Sequence, residues 1–308
     1  MSLGFIKYIP LPILNGLVAV ATYVCHTFNL SIYRSINANL ILVDPTMDAH
    51  LRAATAKRIL RNQLQNTLSS ALCWAHPPEW SIQQITKIHN REVLEAGFAN
   101  DKGMLIIVPH LGVWEMMNAW VSQYGALTIM YKPVKNPKID AFMRASRERI
   151  DASLVPTDAT GVKAIFKTLK DSGFSVLLPD HVPDPSGGVV VPFFGIETMT
   201  STLASKLAAK TGCALVGLSC VKRSDGDGYE MFCDALTDTD LYHKDPEIAT
   251  SALNRAMEQM IHRHFEQYMW GYRRFKHTPL ALNPYLLAPD ELHALAIQLK
   301  QRTKECHD

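Results

Sequence analysis

The hexapeptide His110-Leu-Gly-Val-Trp-Glu115 sets an imidazole and a carboxylate five positions apart, directly after the apolar run Met104-Leu-Ile-Ile-Val-Pro109. The run is β-branched and reads as a buried strand that stops at the proline. Behind Glu115, the residues Met116, Met117, Ala119, Trp120 and Val121 have the apolar density of a helix packed on a sheet. On one helix, positions i and i+5 lie roughly 140° apart. The two side chains therefore meet only if His110 sits in the turn before the helix and Glu115 points back from its first turn. There the carboxylate accepts from one imidazole nitrogen and leaves the other free as a base. That is an orienter–base pair awaiting a substrate hydroxyl. A strand-end histidine followed by a glutamate placed for the helix dipole is spelled the same way.

Three other segments carry groups suited to the same chemistry. Tyr131-Lys-Pro-Val-Lys-Asn-Pro-Lys-Ile-Asp140 leads into a helix bearing Arg144, Arg147 and Arg149, cations that suit phosphates or an anionic transition state and equally suit a solvated face. Leu177-Leu-Pro-Asp180-His181 ends a buried strand with a polar pair, and functional groups of parallel α/β sheets collect at strand carboxyl ends. Val189-Val-Val-Pro-Phe-Phe-Gly195 precedes Thr198, Thr200, Ser201 and Thr202, which read as the opening of a helix. An apolar wall beside hydroxyls suits a greasy substrate with a polar head; a core strand with ordinary N-capping is the plainer account. Walker A, GxGxxG and GxSxG patterns are absent from the sequence, so nucleotide-driven chemistry and the common serine-hydrolase route lose support. No HExxH or paired-ligand spacing marks a metal site, and none is expected.

These groups need a scaffold, and from residue 101 onward strand-like and helix-like stretches alternate. The pattern predicts strands near 104–108, 127–131, 153–155, 174–179, 189–193, 213–221 and 229–235. Helices are expected near 114–123, 137–150, 160–172, 199–211 and 246–266, with Asp225-Gly-Asp-Gly as a hairpin turn between the last two strands. The fold class is α/β: a central, mostly parallel sheet flanked by helices, with an N-terminal membrane-anchoring helix. From Tyr8 to Tyr33 there is no Asp, Glu, Lys or Arg, so this stretch is read as an uncleaved anchor, spanning or re-entrant. Residues 47–74 read as an amphipathic helix, with Leu60, Leu64, Leu68 and Leu72 at every fourth position. The expected organisation is an anchor (1–33), a helical lead-in (34–100), a catalytic α/β core (101–280) and a helical tail (281–308). A formal charge of +2 over 308 residues is too small for a nucleic-acid binder. Six cysteines without a CxxC pair read as reduced thiols.

Taken together, the ordered motifs HxxxxE, YKPxxNPxID, PDHxxxxxGGVxVPFFG and Gln267-Tyr-Met-Trp-Gly-Tyr-Arg-Arg-Phe-Lys276 resemble the late acyltransferases of lipid A biosynthesis, within the lysophospholipid acyltransferase group. The resemblance runs from the N-terminal apolar segment to about residue 279. Val113 stands where many relatives carry Asn, His181 where some carry Gln, and Gly271-Tyr272 where an apolar-His pair is frequent; these departures bear on acyl-chain and acceptor preference. The resemblance implies acyl transfer from an acyl carrier protein thioester to a hydroxyl of a Kdo-bearing lipid A precursor. It makes His110 the general base and Glu115 its orienter. Arg147, or failing it Arg149, binds the oxyanion or a phosphate, and Asp180, Thr200, Arg273 and Arg274 contact acceptor or donor. No cofactor or metal is implied. The implied partners are the carrier protein, the lipid acceptor and membrane lipids at the cytoplasmic face of the inner membrane. Transfer to another lysophospholipid or glycolipid, or a non-catalytic membrane scaffold, are the competing readings.

Overall fold

The computed structural model describes residues 3–226, 228–280 and 282–307. In chain order the helices and strands are α1 (Leu11–Thr27), α2 (Ser31–Val43), α3 (Ala49–Ala75), α4 (Pro78–Gln84), β1 (Ile85–His89), α5 (Arg91–Phe98), β2 (Met104–Ile107), α6 (Trp114–Val121) and β3 (Leu127–Tyr131). There follow α7 (Pro137–Glu148), β4 (Ser153–Pro156), α8 (Ala159–Lys170), β5 (Phe174–Leu177), β6 (Gly188–Phe193), β7 (Ile196–Ser201), α9 (Leu203–Thr211), β8 (Ala214–Lys222), β9 (Tyr229–Ala235), α10 (Pro246–Arg263) and α11 (Pro289–His307). The chain forms two compact units. One comprises Met1–Leu14, Asn66–Leu178 and Lys206–Asp238, the other Asn15–Gln65, Pro179–Ser205 and Thr239–Asp308.

The first unit holds a seven-stranded sheet in the order β1-β9-β8-β2-β5-β3-β4. β2 pairs in parallel with β5 and β8, and β3 in parallel with β4 and β5. β2 and β5 are buried along their whole length, which is why they read as unbroken apolar runs rather than alternating ones. β8 and β9 are antiparallel, as a hairpin requires, though Asp227 of the expected turn lies outside the described residues. β1 was not expected: Ile85-Thr-Lys-Ile-His89 is half exposed at the sheet edge, pairing with β9 alone. Helix α8 is started by Asp158, whose carboxylate accepts from the Thr160 and Gly161 amides, and buries Ile165 and Leu169.

The second unit contains the antiparallel pair β6–β7, packed by α10, and α2 packed by α11. Here a sequence expectation fails. Thr198, Thr200 and Ser201 do not open a helix; they belong to β7, and α9 starts at Leu203. Burial along β7 alternates strictly, with Ile196, Thr198 and Thr200 inward, the period-2 pattern of a β-branched strand. The β6–β7 turn places Phe194 at φ +52° and Gly195 at φ +72°, the left-handed pair of a tight hairpin. A phenylalanine there is strained, and the turn is held at both polar groups: the Phe194 amide donates to Glu258 at 2.7 Å and its carbonyl accepts from Lys300 at 2.8 Å.

Among the described residues no single helix is long and apolar enough to cross a membrane; α1 and α2 pass that test only as a pair bent by 70°. Helix α1 buries Leu14, Val18 and Thr22 on one side and exposes Ile13, Leu17, Val20, Tyr23 and Val24 on the other. All six cysteines are free thiols, and four of them are buried.

The chain between β2 and α6 is held to β8. The Val113 amide donates to the Cys220 carbonyl at 2.8 Å, and Gly112 sits at φ +67°, where an added Cβ would lie 1.9 Å from that same oxygen. Gly112→Ala should therefore destabilise the protein by at least about 2 kcal/mol in urea unfolding, combining left-handed strain with displacement from the neighbouring strand. A near-neutral result would mean that this loop is not fixed against β8.

Candidate active site

Strand β2 ends with the Val108 amide on the Leu177 carbonyl of β5, 2.9 Å. The chain then turns: the Leu111 amide reaches back to the Pro109 carbonyl at 2.6 Å, and His110 occupies the bend, half buried. Five residues later Glu115 lies in the first turn of α6 and is only 5 % exposed. One of its oxygens accepts from the Arg147 guanidinium at 2.5 Å, the other from the Asn118 amide group at 3.3 Å. Asn118 lies one turn along the same helix face, an i, i+3 neighbour.

Arg147 comes from the last turn of α7 and is 4 % exposed. The helix that carries it is anchored at its other end by the YKPxxNPxID segment. Asn136 caps it by accepting from the Lys138 and Ile139 amides, and Pro137 supplies the first helical position. Asp140 accepts from the Tyr131 hydroxyl at 2.5 Å and from the Val134 amide at 2.9 Å. Those two donors hold the Asp140 carboxyl below the usual carboxylate range, while burial and then Asp140 push the Tyr131 phenol up to about 12. The Tyr131 ring also faces the Arg147 guanidinium at 5.1 Å, and Trp114 faces it at 5.0 Å. The cation thus sits against two ring faces with a carboxylate at its tip. A hollow lined by Cys73, Ser81, Glu115, Asn118, Arg147 and Arg149 measures about 20 Å³, too small to admit a substrate group. Burial pushes the Cys73 thiol beside it up to about 12, which leaves it unsuited to act as a nucleophile.

The remaining expected site residues divide between the surface, Arg149 and Arg273, and the interior, Asp180, Thr200 and Arg274. Arg149 donates to the Trp74 and His76 carbonyls at 2.7 and 3.0 Å, closing the end of α3. In the second unit Asp180 is fully buried and accepts from the Tyr268 hydroxyl at 3.0 Å; burial, then this carboxylate, raise that phenol well above its ordinary range. Arg274, 1 % exposed, donates to the Met199 carbonyl at 2.6 Å and to the Thr200 hydroxyl at 2.5 Å, and packs on the Phe193 ring. Burial lowers its pKa from the ordinary arginine range. Arg274 and Thr200 were expected to meet a ligand. Thr200 faces inward on β7, where Arg274 joins the Gln267–Lys276 segment to the hairpin. Arg273 alone of this pair is exposed. Sequence reasoning passed over Tyr131 and Asp140, the two ends of a motif it had quoted, and Asn118, a polar residue in the otherwise apolar helix face behind Glu115.

Among the described residues no group of three or more His, Cys, Asp or Glu side chains stands together as a metal site. The family model for bacterial lipid A biosynthesis acyltransferases matches residues 2–277. The chain is 26% identical over 250 residues to the lipid A biosynthesis lauroyltransferase of Escherichia coli K12, covering 79% of each chain. It is 21% identical over 243 residues to the lipid A biosynthesis palmitoleoyltransferase of the same organism, covering 79% of this chain and 78% of that one. It is also similar to the phosphatidylinositol mannoside acyltransferase of Mycolicibacterium smegmatis, 28% over 148 residues and 47% of each chain. With nearly the whole chain matched and both motif-bearing segments of the first unit inside the match, this protein belongs to the bacterial lipid A biosynthesis acyltransferases.

Proposed function

We propose that this acyltransferase moves an acyl group from an acyl carrier protein thioester to a hydroxyl of a Kdo-bearing lipid A precursor, with His110 as general base. The observation that carries the reading is the buried Glu115–Arg147 pair directly behind the HxxxxE loop. An alcohol is a poor nucleophile at neutral pH, and a positioned base contributes about 10²–10⁴-fold. His110 takes the hydroxyl proton as the oxygen attacks the thioester carbonyl. The tetrahedral adduct collapses with loss of the thiolate, which recovers the proton from the imidazolium, so ester and free thiol are formed without an acyl-enzyme. Glu115 sets the imidazole orientation, and Arg147 sets Glu115. Its burial against Glu115 and two rings supports Arg147 as a positioning residue, beside the oxyanion or phosphate contact that the resemblance implies.

A glycolipid acceptor other than a lipid A precursor is the second reading, supported by the similarity to a phosphatidylinositol mannoside acyltransferase. Assaying purified protein with acyl carrier proteins of several chain lengths against lipid A precursors and mannosylated phosphatidylinositol separates the two. His110→Ala and Glu115→Ala should each lower turnover at least about 100-fold in that assay while the chain stays folded. Near wild-type transfer by either variant refutes the mechanism.

The same proposal puts the protein at the cytoplasmic face of the inner membrane, held by α1. At 1.5 Å per residue α1 is about 25 Å long, short of the roughly 30 Å hydrocarbon core, and one whole side of it is exposed and apolar. This supports a helix lying in the interface. Replacing Leu17, Val20 and Val24 with aspartate leaves the buried face intact and should cut membrane retention at least about tenfold. High salt on the intact chain should not release it; release by salt alone contradicts an apolar anchor.

A further inference from the structure

We propose that a groove of the second unit, between α2 and residues 273–287, binds the phosphate of an anionic lipid through Arg34 and Arg273. Two adjoining hollows, of about 350 and 340 Å³, share Arg34, Ala38, Tyr285 and Leu287. Arg52 lines the first and Arg273 the second, and no Asp or Glu lines either. Three guanidinium groups without an acid are a local excess of positive charge in a chain whose net charge is only +2.

One of these cations is set in place by the fold. Arg273 donates to the Ser35 hydroxyl at 3.3 Å and the Ser31 hydroxyl at 3.2 Å, and its guanidinium lies over the Tyr285 ring at 5.7 Å. Tyr285 is itself fixed, donating to the buried Asn39 at 2.5 Å and accepting from the Phe275 amide at 3.0 Å. Asn39 in turn donates to the Trp270 and Tyr272 carbonyls at 2.5 and 2.8 Å. The segment that carries Arg273 is therefore tied to α2 on both sides of it. Arg34 is exposed, one turn into α2, and forms no ion pair among the described residues. A pre-set guanidinium and a second cation in a concave site fit the paired oxygens of a phosphate.

The rim identifies the source of that phosphate. Phe28 and Leu30, at the bend just before α2, are 69 % and 42 % exposed, and Leu286, which lines the groove, is 76 % exposed. Bare apolar side chains beside a cationic groove match an amphiphile whose phosphate lies at the head-group level with its chains below, and they match free phosphate poorly. The test of this site reads binding alone.

The full chain is titrated with vesicles of phosphatidylcholine, with and without phosphatidylglycerol. Attachment through α1 registers on both, whereas the groove registers only as the gain on adding the anionic lipid. Arg34→Ala should lose roughly fivefold of that gain and Arg34→Ala/Arg273→Ala roughly 25-fold, as expected for cations near an anionic surface. Arg34→Lys keeps the charge but not the fork and should fall between wild type and Arg34→Ala. Should Arg273→Ala fail to fold, the two Arg34 variants carry the test, since that side chain holds nothing in the fold. Wild-type binding by Arg34→Ala overturns the proposal, as does an equal loss in Lys163→Ala/Lys167→Ala, which removes two exposed charges from α8. Saturable displacement of the vesicles by inorganic phosphate also overturns it by assigning the groove to the free anion.

Discussion

A carboxylate withdrawn almost completely from water needs a partner, and Glu115 has Arg147. Removing one member of such a buried pair ordinarily costs about 3–5 kcal/mol, because the survivor is left desolvated and uncompensated. Two helices meet at this contact, α6 through its first turn and α7 through its last. Each is fixed at a second point: α6 by the loop held on β8, α7 by the Tyr131–Asp140 bond and the Asn136 cap. The HxxxxE and YKPxxNPxID segments are thus two ends of one mechanical unit. The first carries the proposed base, and the second holds Glu115, its proposed orienter, in register.

In the second unit several buried or half-buried polar residues hold backbone together. Arg274 and Thr200 bind one another, Asn39 gathers three partners from the Trp270–Tyr285 segment, and Glu258 and Lys300 clamp a strained turn. Burial raises the Glu258 carboxyl and lowers the Lys300 amine, so each is perturbed by the same desolvation while one holds the N–H and the other the carbonyl of Phe194. Such groups look functional by residue type alone. Each of them makes hydrogen bonds that hold the backbone of this unit.

Much of the sheet was legible because its central strands are buried on both faces, as Met104–Ile107 and Phe174–Leu177 illustrate. Ile85–His89 was not, since an edge strand with Thr86 and Lys87 facing out carries neither a continuous apolar run nor a clean alternation. The threonines after Gly195 were misread because Ser and Thr favour helix starts and threonine also favours strands; the inward spacing of Ile196, Thr198 and Thr200 was the usable signal. At the site, the turn before α6 followed from the proline and the period change around His110. The partner of Glu115 did not, because Arg144, Arg147 and Arg149 look alike in sequence, and only the tertiary fold makes Arg147 the buried one.

The positioning role of Arg147 separates from a phosphate-binding role by how a conservative change divides between kcat and KM. Arg147→Lys keeps the charge, so the chain can remain folded, but it loses the planar fork against Glu115 and the ring contacts. Steady-state kinetics with carrier-bound acyl donor and lipid acceptor each varied should show kcat reduced at least about tenfold and both KM values unchanged. An acceptor KM that rises by a similar factor with kcat intact would place Arg147 on the substrate and contradict the account.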